Sequence, residues 1–223
     1  MYRDRTIGVV VLAFNVEDHI HDVLQNMPDF VDAVYVVDDG STDRTAEIVR
    51  RTAGLEGSGL AGSGLEATAS RPRVHLLQHA ANAGPGAALS TGYRQAVADD
   101  LDIVVKVDGD NQMNPLEMAR LLDPVVEGRA AYTKGDRTSR REHLRAMPRF
   151  RRLGNRIMCH VTRLTVGNLN LRDPQNGYTA ISRHALEKVG WQLYPYYGYL
   201  NDMLLRLHLQ RFKVVDVPMP SRY

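Results

Sequence analysis

Residues 101–112 read LDIVVKVDGDNQ, an apolar and β-branched run that ends in two carboxylates one residue apart. A short run of this kind predicts a buried strand, and open α/β sheets bind ligands beyond the carboxyl ends of their strands. A single glycine separates Asp108 from Asp110, so both can face one hard cation, and Gln112 can add a neutral oxygen. These donors suit Mg²⁺ or Mn²⁺ held together with substrate phosphates. The alternative interpretation is a polar turn that leads into a helix starting near Pro115.

Strands and helices alternate on both sides of this stretch. Further strands are predicted over 6–13, 31–37, 74–78, 130–133 and 213–217, and helices over 17–26, 87–98, 115–126, 182–189 and 199–210. Another helix carries Ile48 and Val49, and Asp43 can cap it. Short connections between alternating elements indicate an α/β fold with a mostly parallel, doubly wound sheet and helices on both faces. A chain of 223 residues is long enough for one such domain, 1–223.

Two segments depart from this alternation. Residues 54–72 contain Gly-Ser-Gly-Leu twice amid alanine and glycine, which predicts a flexible insertion without chemistry of its own. Residues 137–166 interleave arginines with apolar residues, and Glu142 is their only acid. The arginines are Arg137, Arg140, Arg141, Arg145, Arg149, Arg151, Arg152, Arg156 and Arg163. This basic amphipathic pattern is typical of binding to an anionic membrane surface, and the alternative is a solvated helix face packed on the sheet.

The bulk composition excludes several other classes. The net charge is only +2, so no nucleic acid partner is expected. A single cysteine, Cys159, rules out an internal disulfide and fits a reducing compartment. No apolar run approaches the roughly 18 residues of a membrane span. Because the sequence stops just after the predicted strand at 213–217, we expect the native chain to continue past Tyr223 into membrane-anchoring segments.

Three predicted strands end in residues suited to a nucleotide, and parallel strands bring such ends to one edge of the sheet. After the first strand, Phe14 can pack on a base and Glu17 can reach a ribose hydroxyl. After the second, Asp39 can accept a hydrogen bond from a base N–H, whereas helix capping is the alternative for Asp38 and Asp43.

The glycines of NAGPGAA at 82–88 let the backbone approach a ligand, and the helix behind them offers N–H groups. The chain has no Gly-x-x-x-x-Gly-Lys-Ser/Thr motif and no Gly-x-Gly-x-x-Gly after its first strand. A P-loop is therefore excluded and a dinucleotide site is disfavoured.

Three motifs together carry a resemblance to a known family: VDDGSTDRT at 37–45, NAGPGAA at 82–88 and DGDNQ at 108–112. In this order and spacing they resemble the inverting family 2 glycosyltransferases, which have the GT-A nucleotide-diphospho-sugar-binding fold. Further segments resemble the polyprenyl-phosphate branch, which is like dolichol-phosphate-mannose synthase. These are KGDR at 134–137, GN at 154–155, DPQNGY at 173–178 and NDML at 201–204. The resemblance covers nearly the whole chain apart from the insertion.

The resemblance implies roles for individual residues. Contacts to the nucleotide-sugar fall on Leu12, Ala13, Phe14, Glu17, Asp39, Gly86 and Asp108, and the metal ligands on Asp108, Asp110 and Gln112. The family's first motif usually reads Pro-x-Tyr-Asn-Glu, whereas this chain has Leu12, Phe14 and Val16, which leaves both GDP- and UDP-linked donors open. The catalytic set is Asp110, Asp202 and Arg137. Arg137 matches an arginine that faces an acceptor phosphate, and Asp202 matches the base position or an equivalent structural acid.

The expected function is metal-dependent, inverting transfer of a sugar from a nucleotide-diphospho-sugar to a polyprenyl phosphate at the cytoplasmic face of the membrane. One alternative has a sugar hydroxyl of a surface polysaccharide as acceptor, with Asp202 as general base. Another is a nucleotide-sugar-binding module without activity. Trp191 and the tyrosines at 194, 196, 197 and 199 line a sugar or lipid site in one interpretation and pack in the core or an interface in the other.

Overall fold

The computed structural model describes residues 1–55, 72–138, 154, 159, 162 and 172–219. The insertion predicted at 54–72 and the basic segment predicted at 137–166 lie almost entirely outside the described residues. What the sequence indicates about those two segments therefore stays a prediction.

The described strands form one mixed sheet of seven strands. They are β1 (Ile7–Ala13), β2 (Ala33–Asp38), β3 (Arg73–Gln78), β4 (Ile103–Asp108), β5 (Tyr132–Asp136), β6 (Thr179–Ser182) and β7 (Val214–Pro218). Their order across the sheet is β3-β2-β1-β4-β6-β5-β7. All neighbouring pairs are parallel except those that β6 makes with β4 and β5. The predicted mostly parallel sheet is confirmed.

Helices cover both faces of this sheet, as predicted. They are α1 (Ile20–Gln25), α2 (Thr45–Thr52), α3 (Pro85–Ala98), α4 (Met118–Val126), α5 (Arg183–Val189) and α6 (Tyr199–Leu209), and a 3₁₀ turn (Pro115–Glu117) precedes α4. One core layer packs residues of α1, α2 and α4 against the sheet, and the other packs α3, α5 and α6. The strands β1, β2 and β4 are fully apolar over most of their length because both of their faces are covered.

The loop before α1 is longer than the periodicity predicted. The helix begins at Ile20 rather than near Glu17. The backbone N–H of Glu17 donates to Oδ2 of Asp43 at 3.1 Å, and its carboxylate accepts from Arg44. These hydrogen bonds tie the loop after β1 to the loop after β2 at the carboxyl edge of the sheet.

The strand β6 escaped the sequence analysis because it has only four residues, too few to show an alternating pattern. It runs antiparallel between β4 and β5, with Thr179 opposite both Lys106 and Lys134. Its insertion brings the preceding segment, residues 173–178, next to the end of β4. This placement is what assembles the site described below.

Candidate active site

The two carboxylates that the sequence singled out lie at the carboxyl edge of the sheet. Asp108 is the last residue of β4, opposite Leu12 of β1, and Asp110 follows in the turn. Asn111 has φ +58°, a left-handed conformation that asparagine tolerates, and the N–H of Gln112 donates to Oδ1 of Asp110 at 3.1 Å. Burial raises the pKa of Asp110 above its usual value. The hydrogen bond from Gln112 acts in the opposite direction, and the charge of the neighbouring Asp108 raises the pKa further. Two carboxylates in such surroundings are stabilised by a cation.

The donors at this turn fit a divalent cation. Asp108 and Asp110 supply carboxylate oxygens, and Oδ1 of Asn111 is buried without a hydrogen-bond partner in the described part of the chain. Gln112 is exposed beside them. Within residues 1–55, 72–138 and 172–219, no group of three or more His, Cys, Asp or Glu side chains converges. A site with few protein carboxylates, completed by substrate phosphates and water, is the arrangement that Mg²⁺ takes in nucleotide-dependent enzymes.

A buried lysine that the sequence analysis missed lies directly behind Asp108. Lys106 is 1% exposed, and its Nζ forms an ion pair with Oδ1 of Asp108. Its Nζ also lies 5.9 Å from the centroid of the Tyr199 ring. The ion pair with Asp108 is the arrangement of a charged lysine, and although burial alone would lower the pKa of Lys106, Asp108 and Tyr199 raise it above the usual value. The presence of a lysine within an apolar strand could have identified this residue from the sequence.

Asp39 lies just beyond β2 and is 4% exposed. Its Oδ2 accepts from the N–H of Gly84 at 2.8 Å, and its Oδ1 accepts from the N–H of Ala83 at 3.0 Å and lies 2.6 Å from Nδ1 of His79. Nε2 of His79 in turn lies 3.0 Å from the hydroxyl of Thr91 in α3. The carboxylate predicted to contact the base therefore also fixes the turn before α3, and the base contact stays a prediction.

The nucleotide contacts predicted after β1 divide into two groups. Leu12 and Ala13 are buried, and their carbonyls accept from the N–H groups of Gly109 and Asp39 at 2.8 Å each. Phe14 is 45% exposed, which leaves its ring accessible to a base. Glu17 holds Arg44 through the N–H and Nε, both at 3.1 Å.

Asp38 and Asp43 form hydrogen bonds within the loop before α2, whose N-cap residue, Arg44, makes no side-chain capping hydrogen bond. Asp38 accepts from the N–H of Ser41 at 3.0 Å, and Asp43 accepts from the N–H of Thr45, the first residue of α2, at 2.9 Å. Burial opposes ionisation of Asp43, but its hydrogen bonds with Thr45 and Glu17 lower its pKa below the usual value. Both acids stabilise the loop beside the site.

The glycines before α3 allow another loop to approach closely. The N–H groups of Gly86 and Ala87 donate to the carbonyl of Pro195 at 2.6 and 3.2 Å. A Cβ at position 86 would overlap the carbonyl oxygen of Tyr194, and Gly84 has φ +95°. The N–H groups that the sequence assigned to a ligand are thus bound to the loop that precedes α6. In that loop Tyr194, Tyr196 and Tyr197 are more than half exposed, whereas Tyr199 is buried.

The remaining two predicted catalytic residues are both held in bidentate ion pairs. Asp202 in α6 accepts from Nε and Nη2 of Arg206 at 2.7 and 3.0 Å, and from the N–H of Tyr194 at 2.9 Å. It also lines a groove of about 1190 Å³ beside Trp191. Arg137 donates through Nε and Nη2 to Asp173 at 2.6 and 2.9 Å, and Asp173 is fully buried. Both oxygens of Asp202 are engaged, which favours a structural role for it over that of a general base.

The mixed seven-stranded sheet, whose central strand ends in the first of two carboxylates, agrees with the GT-A fold of the glycosyltransferases that it resembles in structure. The chain belongs to glycosyl transferase family 2, whose family model matches residues 8–190. The chain is therefore a glycosyltransferase, which sets aside the alternative of a binding module without activity.

Two relatives share most of the chain. The UDP-N-acetylglucosamine–dolichyl-phosphate N-acetylglucosaminyltransferase of Methanococcus voltae is 28% identical over 222 residues, which cover 99% of this chain and 87% of that protein. The polyprenol monophosphomannose synthase of Mycolicibacterium smegmatis is 30% identical over 188 residues, which cover 83% of this chain and 65% of that protein.

The fold also matches solved structures of the glucosyl-3-phosphoglycerate synthase from Mycobacterium tuberculosis. Its complex with Mn²⁺, UDP and phosphoglyceric acid has a TM-score of 0.70 at 24% identity, over 99% of this chain and 70% of that one. A complex with Mn²⁺, UDP-glucose and phosphoglyceric acid has a TM-score of 0.65 at 26% identity, over 99% and 72%. The first similarity establishes the shared fold.

Proposed function

We propose that this glycosyltransferase moves a sugar from a nucleotide-diphospho-sugar to a polyprenyl phosphate, with inversion at the anomeric carbon and with Mg²⁺ or Mn²⁺ as cofactor. The observation that carries the proposal is the pair Asp108 and Asp110 at the carboxyl edge of the sheet, where burial raises the pKa of Asp110. The relatives support the acceptor class, since two of them are named for dolichyl phosphate and polyprenol. A structural neighbour crystallised with Mn²⁺ and UDP-glucose supports the cofactor and the donor class.

The chain's own residues divide the work of donor binding. Asp108 and Asp110 would hold the cation, with the exposed Gln112 beside them. When bound, a divalent cation neutralises the negative charge that develops on the departing nucleoside diphosphate. The exposed ring of Phe14 is available to stack on the base. Asp39 keeps the turn before α3 in place through its hydrogen bonds to Ala83 and Gly84.

The acceptor side favours a nucleophile that needs no base. A sugar hydroxyl must lose a proton to a group within hydrogen-bond reach, whereas a lipid phosphate is already anionic. Both oxygens of Asp202 are bound by Arg206 and by the N–H of Tyr194, which argues against proton abstraction by this residue. Arg137 is oriented by Asp173, and a preorganised guanidinium suits recognition of a phosphate.

The decisive experiment measures donor turnover with Mn²⁺ across a panel of GDP- and UDP-sugars, with and without a short polyprenyl phosphate. We expect release of one nucleotide that depends on the lipid phosphate, with the product inverted at the anomeric carbon. Release that ignores the lipid but responds to a glycan would overturn the proposal in favour of hydroxyl transfer with Asp202 as base.

The membrane site of action is a separate element of the proposal. In the described ranges, no helix combines the length and the apolar character that crossing a bilayer demands. We propose that the enzyme works at the cytoplasmic face of the membrane and that the basic segment 137–166 contacts anionic lipid. The support is the composition of that segment together with relatives named for lipid-linked acceptors.

Replacing Arg140, Arg141 and Arg145 with glutamine is expected to weaken binding to anionic vesicles roughly a hundredfold. Each basic residue near an anionic leaflet contributes about 1 kcal/mol, and three such contributions correspond to that factor. Co-sedimentation with phosphatidylglycerol vesicles measures the change. The matched control replaces three exposed arginines elsewhere, Arg94, Arg129 and Arg211, with glutamine. Equal losses of vesicle binding in both triple variants would show that only net charge matters. The basic segment would then be interpreted as a solvated surface.

A further inference from the structure

Lys106 is a cation inside the core, immediately behind the proposed metal ligands. It is 1% exposed and lies on the sheet face that packs against α6, where its Nζ faces the Tyr199 ring. Placing an ammonium group in such surroundings costs several kcal/mol unless it is paired. Its neighbours in β4, Val105 and Val107, are apolar and buried, so the packing of this strand does not explain a lysine at this position.

The surrounding chain makes room for this ammonium group. Its Nζ pairs with Oδ1 of Asp108, and a Cβ at position 177 would overlap Nζ and come within 3.1 Å of Oδ2 of Asp108. A side chain at 177 would therefore require the ammonium group of Lys106 to shift. The segment before β6 and the end of β4 are thus fitted to each other around Lys106 and Asp108.

A second buried lysine on the same face provides a comparison. Lys134 in β5 is also 1% exposed, and Thr179 lies between the two lysines in the sheet register. Nζ of Lys134 forms an ion pair with Oδ1 of Asp216 at 3.0 Å and a hydrogen bond with the carbonyl of Asp173. The acid that neutralises Lys134 has no predicted role in ligand binding, whereas the acid paired with Lys106 is a proposed metal ligand.

One carboxylate therefore has two competing uses. Asp108 is paired with an internal cation, and a divalent cation that binds Asp108 must share that carboxylate with the ammonium group. Like charges repel, so the ammonium group disfavours a cation that arrives alone. The same positive charge attracts a diphosphate.

We propose that Lys106 is a positioning residue that sets the charge of the metal site: it holds Asp108 when no ligand is bound, disfavours a lone cation and favours a nucleoside diphosphate. This inference rests on the proposed metal site at Asp108 and Asp110. As a result, the metal and the nucleotide bind together. The diphosphate offsets the repulsion between Lys106 and the metal, and the metal offsets the negative charge of the carboxylates that the diphosphate meets. Lys106 acts through Asp108 and the local field, since its burial keeps it from touching the substrate.

The test replaces Lys106 with methionine, which is unbranched and only one heavy atom shorter and which removes the charge. Mn²⁺ affinity without nucleotide, measured by electron paramagnetic resonance of the free ion, is expected to rise by at least about tenfold. Affinity for UDP and GDP in the presence of EDTA, measured by calorimetry, is expected to fall by a similar factor. Changes of opposite sign identify a charge effect, because a merely structural defect would weaken both ligands.

The matched control is Lys134→Met, the same change at a buried lysine whose partner is Asp216. It is expected to leave both affinities unchanged, and thermal unfolding reports whether each variant is folded. Lys106→Gln also removes the charge but keeps a hydrogen-bond donor for Asp108, so it should give the same two changes if the methionine variant folds poorly.

The outcomes separate this inference from the proposed function. If the wild-type enzyme binds Mn²⁺ and the folded Lys106 variants bind it no more tightly, the inference is wrong and the metal site stands. If both affinities fall together, Lys106 has only a structural role and the inference is again wrong. If the wild-type enzyme binds no Mn²⁺ with or without UDP, the proposed metal site fails and the inference fails with it.

Discussion

Replacing Asp110 with alanine is expected to lower donor turnover roughly a hundredfold to a thousandfold, while the protein remains folded. The loss follows because Asp110 is a proposed ligand of the cation that stabilises the leaving diphosphate, and removing one such electrostatic contribution costs about 10²–10³ in rate. The fold should persist because, among the residues that the structure describes, the side chain accepts one hydrogen bond, from the N–H of Gln112 at the edge of the sheet. Burial and Asp108 both disfavour its charged form, so its removal relieves repulsion.

Release of nucleotide from the donor with Mn²⁺ measures this effect, and calorimetric binding of Mn²⁺ shows whether the lost activity reflects a lost cation. The control is Asp29→Ala, the same substitution at an exposed acid between α1 and β2. It is expected to keep full turnover. Retained turnover in Asp110→Ala would remove the metal argument altogether, since Asp108 alone would be a poor site for a divalent cation.

The position of this site could be predicted from the sequence because it depends on local pattern alone. The strand that ends at Asp108 shows its apolar run directly, and parallel neighbours place Asp39 and Phe14 at the same edge. The ion pair of Asp202 with Arg206 could also be predicted from the sequence, because the two residues are four positions apart on one helix.

The partners of the remaining polar residues could not be predicted, because they come from distant parts of the chain. Asp39 is 40 residues from His79, and Arg137 is 36 residues from Asp173. No periodicity encodes such pairs. The four residues of β6 are too few to show a pattern, yet their placement decides what lies behind Asp108. The sequence therefore predicts which carboxylates lie at the edge of the sheet better than it predicts which charges are paired there.

The ion pair of Asp173 with Arg137 shows what a pair between distant residues contributes to stability. It is fully buried, and Arg137 donates to it from its N–H, Nε and Nη2 at 3.2, 2.6 and 2.9 Å. Burial alone would raise the pKa of Asp173, but Arg137 and then Lys134 lower it below the usual value. An acid whose pKa is lower in the folded state stabilises the fold above its unfolded pKa of about 3.9, and this stabilisation is lost as the pH falls through the folded pKa.

Asp173→Asn is accordingly expected to lower the free energy of unfolding by about 3 kcal/mol near pH 7, because it leaves Arg137 without its carboxylate. The difference from wild type should shrink as the pH falls below about 4, because the carboxylate is then protonated in the unfolded chain while it keeps its charge in the folded chain down to a lower pH. Urea unfolding at the two pH values measures both effects. A difference that is the same at both would contradict the assignment of the stabilisation to the charged pair.

Asp216→Asn is the matched control, because its pH dependence has the opposite sign. Asp216 is partly buried and paired with a lysine, yet desolvation raises its pKa above the usual value in spite of Lys134. An acid with a raised folded pKa favours the fold below its unfolded pKa and loses that contribution as the pH rises. Near pH 7 the asparagine variant should therefore lose less stability than Asp173→Asn.

The same Asp173 variant also tests what Arg137 does for the acceptor. If Asp173 orients Arg137 toward a lipid phosphate, the folded variant should show a KM for polyprenyl phosphate that rises by about tenfold or more, with the KM for the nucleotide-sugar unchanged. Asp216→Asn, whose described contacts are with Lys134 and the N–H of Arg172, should leave both values in place. An increase only in the KM for the nucleotide-sugar would indicate that Arg137 contacts the diphosphate instead. Equal KM values in the wild type and both variants would show that the pair of Arg137 and Asp173 is purely structural.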